Sequence, residues 1–226
     1  MIEVLRRAAI VGATMAAIVM GAAPAIAAAP THSSHAYAPP DPASLGGTFV
    51  LRDPAGRMVA SQNLKGRWNF IYLGYSRCTD TCPVALPTIV EAARQLSSAG
   101  TPARAVFIDI EPPAATIQPR NPELKASALT HHDPLKAKAA QDAIVKRFGP
   151  SLLVLTGSRN QLNAATVAFQ VRREHVPARP REEGHSINHT SFIYVMNPAG
   201  EVTQYVYHDA PPNALIGAVR QKVAER

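Results

Sequence analysis

This sequence predicts an α/β fold with a mixed central sheet and helices on both faces. Three observations carry that expectation. Apolar runs rich in β-branched and aromatic residues alternate with stretches of helical periodicity. The early order of strand, helix, strand, helix, strand, helix is that of βαβ units with parallel strands and right-handed crossovers. The chain then closes on a hairpin and a helix, and a hairpin adds antiparallel strands to a sheet begun in parallel. With 226 residues, 46% of them hydrophobic, the chain can bury one sizeable core and still carry appendages.

The first such appendage is residues 1–29. Arg6 and Arg7 form a short basic segment, Ala8 to Met20 is apolar and uncharged, and Ala25-Ile26-Ala27 is an A-x-A processing site. This reads as an export signal. The uncharged run from Ala8 to Ala29 is also long enough to act as a membrane anchor, although it is rich in Ala and interrupted by Pro24. Residues 30–46, with Pro30, Pro39, Pro40 and Pro42, read as an extended linker that carries His32 and His35. The folded domain is expected over 47–226.

Its elements follow in order. Thr48–Leu51 and Met58–Val59 flank the turn signal Asp53-Pro54-Ala55-Gly56, giving a small N-terminal hairpin. Trp68–Tyr75 is aromatic and β-branched, as a central strand should be. From Pro83 to Ser98, Leu86, Ile89, Val90, Ala93 and Leu96 form one apolar helical face, ended by Gly100. Ala105–Ile110 is a buried strand. Residues 111–135 hold five prolines and form a long excursion. A helix then runs from Leu135 to Phe148, closed by Gly149-Pro150, and Leu152–Leu155 is a short strand. Ser158 caps a helix from Arg159 to Phe169. Gln170–His175 is extended, and 176–187 is a charged, Pro-containing loop. His189–Met196 and Val202–Tyr207 pair across Asn197-Pro198-Ala199-Gly200 as a C-terminal hairpin, and a last helix spans Pro211 to Ala224.

Charge excludes one class of partner. The net charge is +7, but Lys and Arg are scattered and aromatic residues are only 6%. A nucleic-acid platform interleaves a basic stripe with stacking aromatics, so nucleic acid is not expected. A basic surface that attracts an acidic or membrane-bound partner fits better.

The chemistry lies in Cys78-Thr79-Asp80-Thr81-Cys82-Pro83, which holds the only cysteines of the chain. They fall between the central strand and the mouth of the first helix. Helix N-termini stabilise thiolates, and thiolates are both the nucleophiles and the metal ligands of cysteine. A staple disulfide here would close a very short loop and constrain little of the unfolded chain. Two thiolates leave a soft metal short of ligands. His131, His132, His175, His185, His189 and His208 are the candidates for a third. His189 differs from the others in opening an apolar run, Phe192-Ile193-Tyr194-Val195, and strand ends are where sites gather in wound sheets.

Several of these segments together resemble the Sco/SenC family. They are Gly46-Gly47-Thr48-Phe49, Leu64-Lys65-Gly66-Arg67-Trp68, Tyr72-Leu73-Gly74-Tyr75-Ser76-Arg77 with the cysteine segment after it, Leu155-Thr156-Gly157-Ser158, and His189 through Gly200. The resemblance implies a thioredoxin-like fold and a role in building the copper centre of cytochrome c oxidase. It implies one copper held by Cys78, Cys82 and His189, as Cu(I), in a site that can also hold Cu(II). The partners it implies are the copper-binding subunit of the oxidase or another copper chaperone. A monomer suffices, outside the cytoplasm, in the periplasm and near a membrane. The chain departs from the family pattern at Asn188, where an acidic residue is common, and in the length of the excursion.

A second role fits the same two cysteines. Cys78 and Cys82 form a dithiol able to reduce a partner's disulfide, which would make the protein a thiol–disulfide oxidoreductase. Copper binding needs His189 and disulfide exchange does not. Asp80, between the cysteines, is expected to face solvent.

Overall fold

Side chains that alternate along the central strands part into two cores, one on each face of the sheet. The computed structural model describes residues 40–79, 81–111, 134–176 and 186–225. The expected export signal, most of the linker, most of the excursion, most of the charged loop and Asp80 lie outside these residues. Along the chain come β1 (Val50–Arg52), β2 (Met58–Ala60), β3 (Trp68–Gly74), α1 (Cys82–Ser98), β4 (Ala103–Asp109), α2 (Pro134–Phe148), β5 (Leu152–Leu155), α3 (Arg159–Ala168), β6 (Arg173–Val176), β7 (Ser186–His189), β8 (Phe192–Met196), β9 (Val202–Tyr207) and α4 (Pro212–Ala224).

The five-stranded sheet has the order β5-β4-β3-β8-β9. β3, β4 and β5 run parallel, while β8 and β9 are antiparallel to their neighbours. This is the mixed sheet expected. On one face Phe70, Tyr72, Phe107, Ile193 and Val195 pack with Leu86, Ile89 and Leu96 of α1 and Leu215 and Val219 of α4. On the other, Ile71, Leu73, Val106, Ile108 and Tyr194 pack with Leu162 and Ala165 of α3 and with Phe49 and Leu51 at the N-terminal hairpin. Every residue of β3 is therefore buried. Removing one of its aromatic side chains would cost on the order of 3–5 kcal/mol.

Local signals set the ends of several elements. Ser158 and Gln161 form a reciprocal capping box at the start of α3, with the Ser158 N–H donating to Gln161 Oε1 at 2.9 Å. Contacts begin before Gly47: the Tyr205 hydroxyl donates to the Pro40 carbonyl at 3.0 Å, and Leu45 is buried.

One expectation needs correction. His189 does not open the apolar strand. It closes β7, which pairs with β6 in a separate two-stranded sheet, Arg173 opposite His189. Thr190 and Ser191 break the run, because the Thr190 N–H donates to the Arg172 carbonyl while the Ser191 carbonyl accepts from the His208 N–H. The β6–β7 hairpin falls in the stretch read as an extended piece and a loop.

The C-terminal end of β4 holds the loop that leads out of β3. Asp109, 3% exposed, accepts hydrogen bonds from the Ser76 hydroxyl, from the Glu111 N–H at 3.1 Å and from Gln141 Nε2 of α2 at 3.3 Å. Arg77 forms an ion pair with the buried Glu111. Burial raises the Asp109 carboxyl to about 7 despite these donors.

Two predictions follow from this packing. Ser158→Ala should lower stability by about 1 kcal/mol in urea unfolding through loss of the cap. For Asp109, the folded state keeps a proton between about pH 4 and about 7 that the unfolded state has lost. Its contribution to stability is therefore greatest below that window and declines as the pH rises through it. Asp109→Asn should flatten the pH dependence of unfolding across this window, and equal slopes in variant and wild type would refute the assignment.

Candidate metal centre

The two thiols meet where β3 gives way to α1. Cys78 sits in a turn, its N–H donating to the Tyr75 carbonyl at 3.0 Å. Cys82 is the first residue of α1. Cys78 is partly exposed and Cys82 is buried, and no disulfide joins them. Their side chains share a hydrogen bond. Cys82 Sγ also donates to the Tyr75 carbonyl at 3.6 Å.

The room for the pair comes from Gly74. A Cβ there would lie 2.8 Å from Cys82 Sγ and 2.8 Å from a ring carbon of Tyr72. Glycine in a buried strand is the sequence signal of such a close approach, and it is how this residue could have been found. Thr81, before the helix, makes no side-chain cap. Its hydroxyl instead accepts from the Tyr72 hydroxyl at 2.9 Å and lies 3.5 Å from Cys78 Sγ. Tyr72 and Thr81 thus line the site, though neither drew notice as a functional residue in the sequence.

The electrostatics favour a neutral resting state. The hydrogen bond with Cys78, and then burial, push the Cys82 thiol well above its ordinary value. The stabilising field expected from the helix N-terminus is outweighed there. Burial pushes His189 below its ordinary value. Its Nδ1 lies 3.1 Å from the Thr190 carbonyl, an acceptor only, so Nδ1 carries the proton and Nε2 keeps its lone pair. A neutral imidazole held through one nitrogen is the usual form of a metal-binding histidine.

His189 stands beside the thiols, close enough to Cys78 for the two to interact electrostatically. Its ring meets Tyr72 and Tyr75 edge-on, with centroids 6.1 Å from each. Among the described residues no three His, Cys, Asp or Glu side chains are gathered tightly enough to hold a metal ion as they stand. The donor set nonetheless fits a soft metal: two sulfurs and one neutral nitrogen beside a glycine-made space. His131, His132 and His185 lie outside the described residues. His175 belongs to β6 and pairs with Ile187.

A groove of about 270 Å³ opens next to the thiols, lined by Cys78, Cys82, Pro83 and Leu86 on one side and Ala140, Ile144, Arg147 and Phe148 of α2 on the other. The larger cavity, about 570 Å³, includes Arg67, Arg104 and Leu152 in its lining and none of the three candidate ligands. Size alone would therefore have pointed away from the sulfur chemistry.

Known proteins match this chain along most of its length. A SCO2-like protein of Rickettsia conorii is 27% identical over 182 residues, covering 80% of this chain and 78% of the relative. The human mitochondrial SCO2 homolog is 28% identical over 179 residues, and the chain spans 59% of that protein's length. The crystal structure of yeast Sco1 with copper bound superposes with a TM-score of 0.62 at 26% identity, covering 81% of this chain and 90% of the other. The SCO1/SenC family profile matches residues 38–124 and 137–224, which include both cysteines and His189. Most of the chain is matched, and the protein belongs to the SCO1/SenC family.

Proposed function

We propose that the protein binds one copper ion as cargo through Cys78, Cys82 and His189 and passes it to the copper centre of cytochrome c oxidase. The observation that carries this reading is the pair of neighbouring, unbridged thiols beside a neutral histidine whose Nε2 is unprotonated. Yeast Sco1 has been solved with copper bound, which supports the same cargo here.

The chain's own residues account for capture and release. Both thiols must lose protons to bind metal, so binding releases protons. Two thiolates and one imidazole suit Cu(I), and they leave a side open. An acceptor ligand can then enter before a donor ligand leaves. The groove between α1 and α2 gives a partner's side chain a route to Cys78. We place the protein outside the cytoplasm, delivered by the signal or anchor in residues 1–29, with a Pro-rich linker that ends where Pro40 and Leu45 join the fold, and with the folded domain as a monomer. Among the described residues no helix is long and apolar enough to cross a membrane.

Thiol–disulfide exchange is the second reading. It is favoured by the unequal exposure of the pair, Cys78 accessible and Cys82 buried. Cys78 would attack a partner disulfide and Cys82 would resolve the mixed disulfide.

Chelator competition on the reduced protein separates the two. Wild type should bind one equivalent of Cu(I), His189→Ala should bind at least about tenfold more weakly, and Cys78→Ser should lose tight binding. Equal affinity in His189→Ala would leave disulfide exchange as the better account. Apparent Cu(I) affinity should rise with pH as the thiols give up protons. Gly74→Ala should weaken copper binding and cost about 1–3 kcal/mol of stability, because the new methyl overlaps Cys82 Sγ.

A further inference from the structure

We propose that His208 is a second imidazole of this centre, entering the coordination sphere of a Cu(II) ion held by Cys78, Cys82 and His189. The proposal rests on the copper reading above and extends it to a residue that the three-ligand set leaves out.

The backbone brings the two histidines to the same corner of the sheet. The His208 N–H donates to the Ser191 carbonyl at 3.1 Å, and the Ser191 hydroxyl donates to the His189 carbonyl at 3.3 Å. Ser191 thus touches both. Tyr207, the residue before His208, meets Phe192 with ring centroids 5.2 Å apart, and Phe192 belongs to the core on the α3 side. β9 ends at Tyr207 and the chain turns at His208, the Ala210 N–H donating to the Tyr207 carbonyl at 3.1 Å.

Nδ1 of His208 is buried without a hydrogen-bond partner. A buried imidazole nitrogen with no partner is uncommon and calls for an explanation such as an ion. His208 also lies within electrostatic reach of His189 and disfavours a charge on that ring. The chemistry points to the oxidised metal. Cu(I) is content with two thiolates and one nitrogen, whereas Cu(II) favours a four-ligand tetragonal set with nitrogen donors. A second imidazole would therefore strengthen Cu(II) binding much more than Cu(I) binding.

The test adds one equivalent of Cu(II) to the reduced full-length protein without oxygen. Pulsed electron paramagnetic resonance then counts the coordinated imidazoles. Wild type should show two and His208→Gln one. Chelator competition should find Cu(II) bound about tenfold more weakly by His208→Gln, with Cu(I) affinity nearly unchanged. A single imidazole in wild type overturns the proposal, whether or not the variant folds. So does an unchanged spectrum in a variant whose circular dichroism matches wild type. Sulfur-to-copper charge-transfer absorption separates this failure from failure of the copper reading. Its presence with one imidazole removes only His208, and its absence from wild type removes the thiolate site and this inference together.

Discussion

Everything in this protein depends on the enclosure of β3. The strand has β4 on one edge and β8 on the other, and a core on each face. Its seven residues are all buried. A strand so enclosed cannot slip by one residue without turning each core side chain to the wrong face. That rigidity carries to its C-terminal end, where Gly74 leaves space for sulfur and the chain turns out to Cys78. The geometry of the thiol pair is thus set by packing well away from the sulfurs.

The loop itself is fixed by polar contacts that the two cores cannot supply. Ser76 and Arg77 reach back to Asp109 and Glu111 at the end of β4. Gln141 of α2 joins the same carboxylate. Burying such groups is costly unless each finds a partner, and here partners come from β4, α2 and the loop itself. The network ties the cysteine loop to the helix that forms the far wall of the groove. A shift of α2 would therefore be felt at the thiols.

Around the thiols, desolvation and mutual contact dominate over the helix end. Cys82 is held as a thiol and His189 as a neutral base. Metal binding at these residues would exchange the thiol protons for a cation, and until then the pair carries no buried charge. Tyr72 and Thr81 complete the surroundings through one hydrogen bond and a contact with Cys78.

The sequence by itself determined the order of the central strands and their helices, the two-sided burial of the central strand and the position of the cysteines. These are local or periodic properties: alternating apolar residues, turn dipeptides, a capping Ser158 and a Cys pair at a strand-to-helix junction. The family resemblance already pointed to His189, and only the tertiary structure decided how that ring is held between Tyr72, Tyr75 and the Thr190 carbonyl. His189 closes β7 instead of opening β8, because Thr190 bonds back to Arg172 on the neighbouring strand. His208 reaches the same corner only because β9 pairs with β8. Those contacts join residues far apart along the chain, and no local pattern records them. The roles of Tyr72 and Thr81 were equally hidden, since each acts through a neighbour that folding alone supplies.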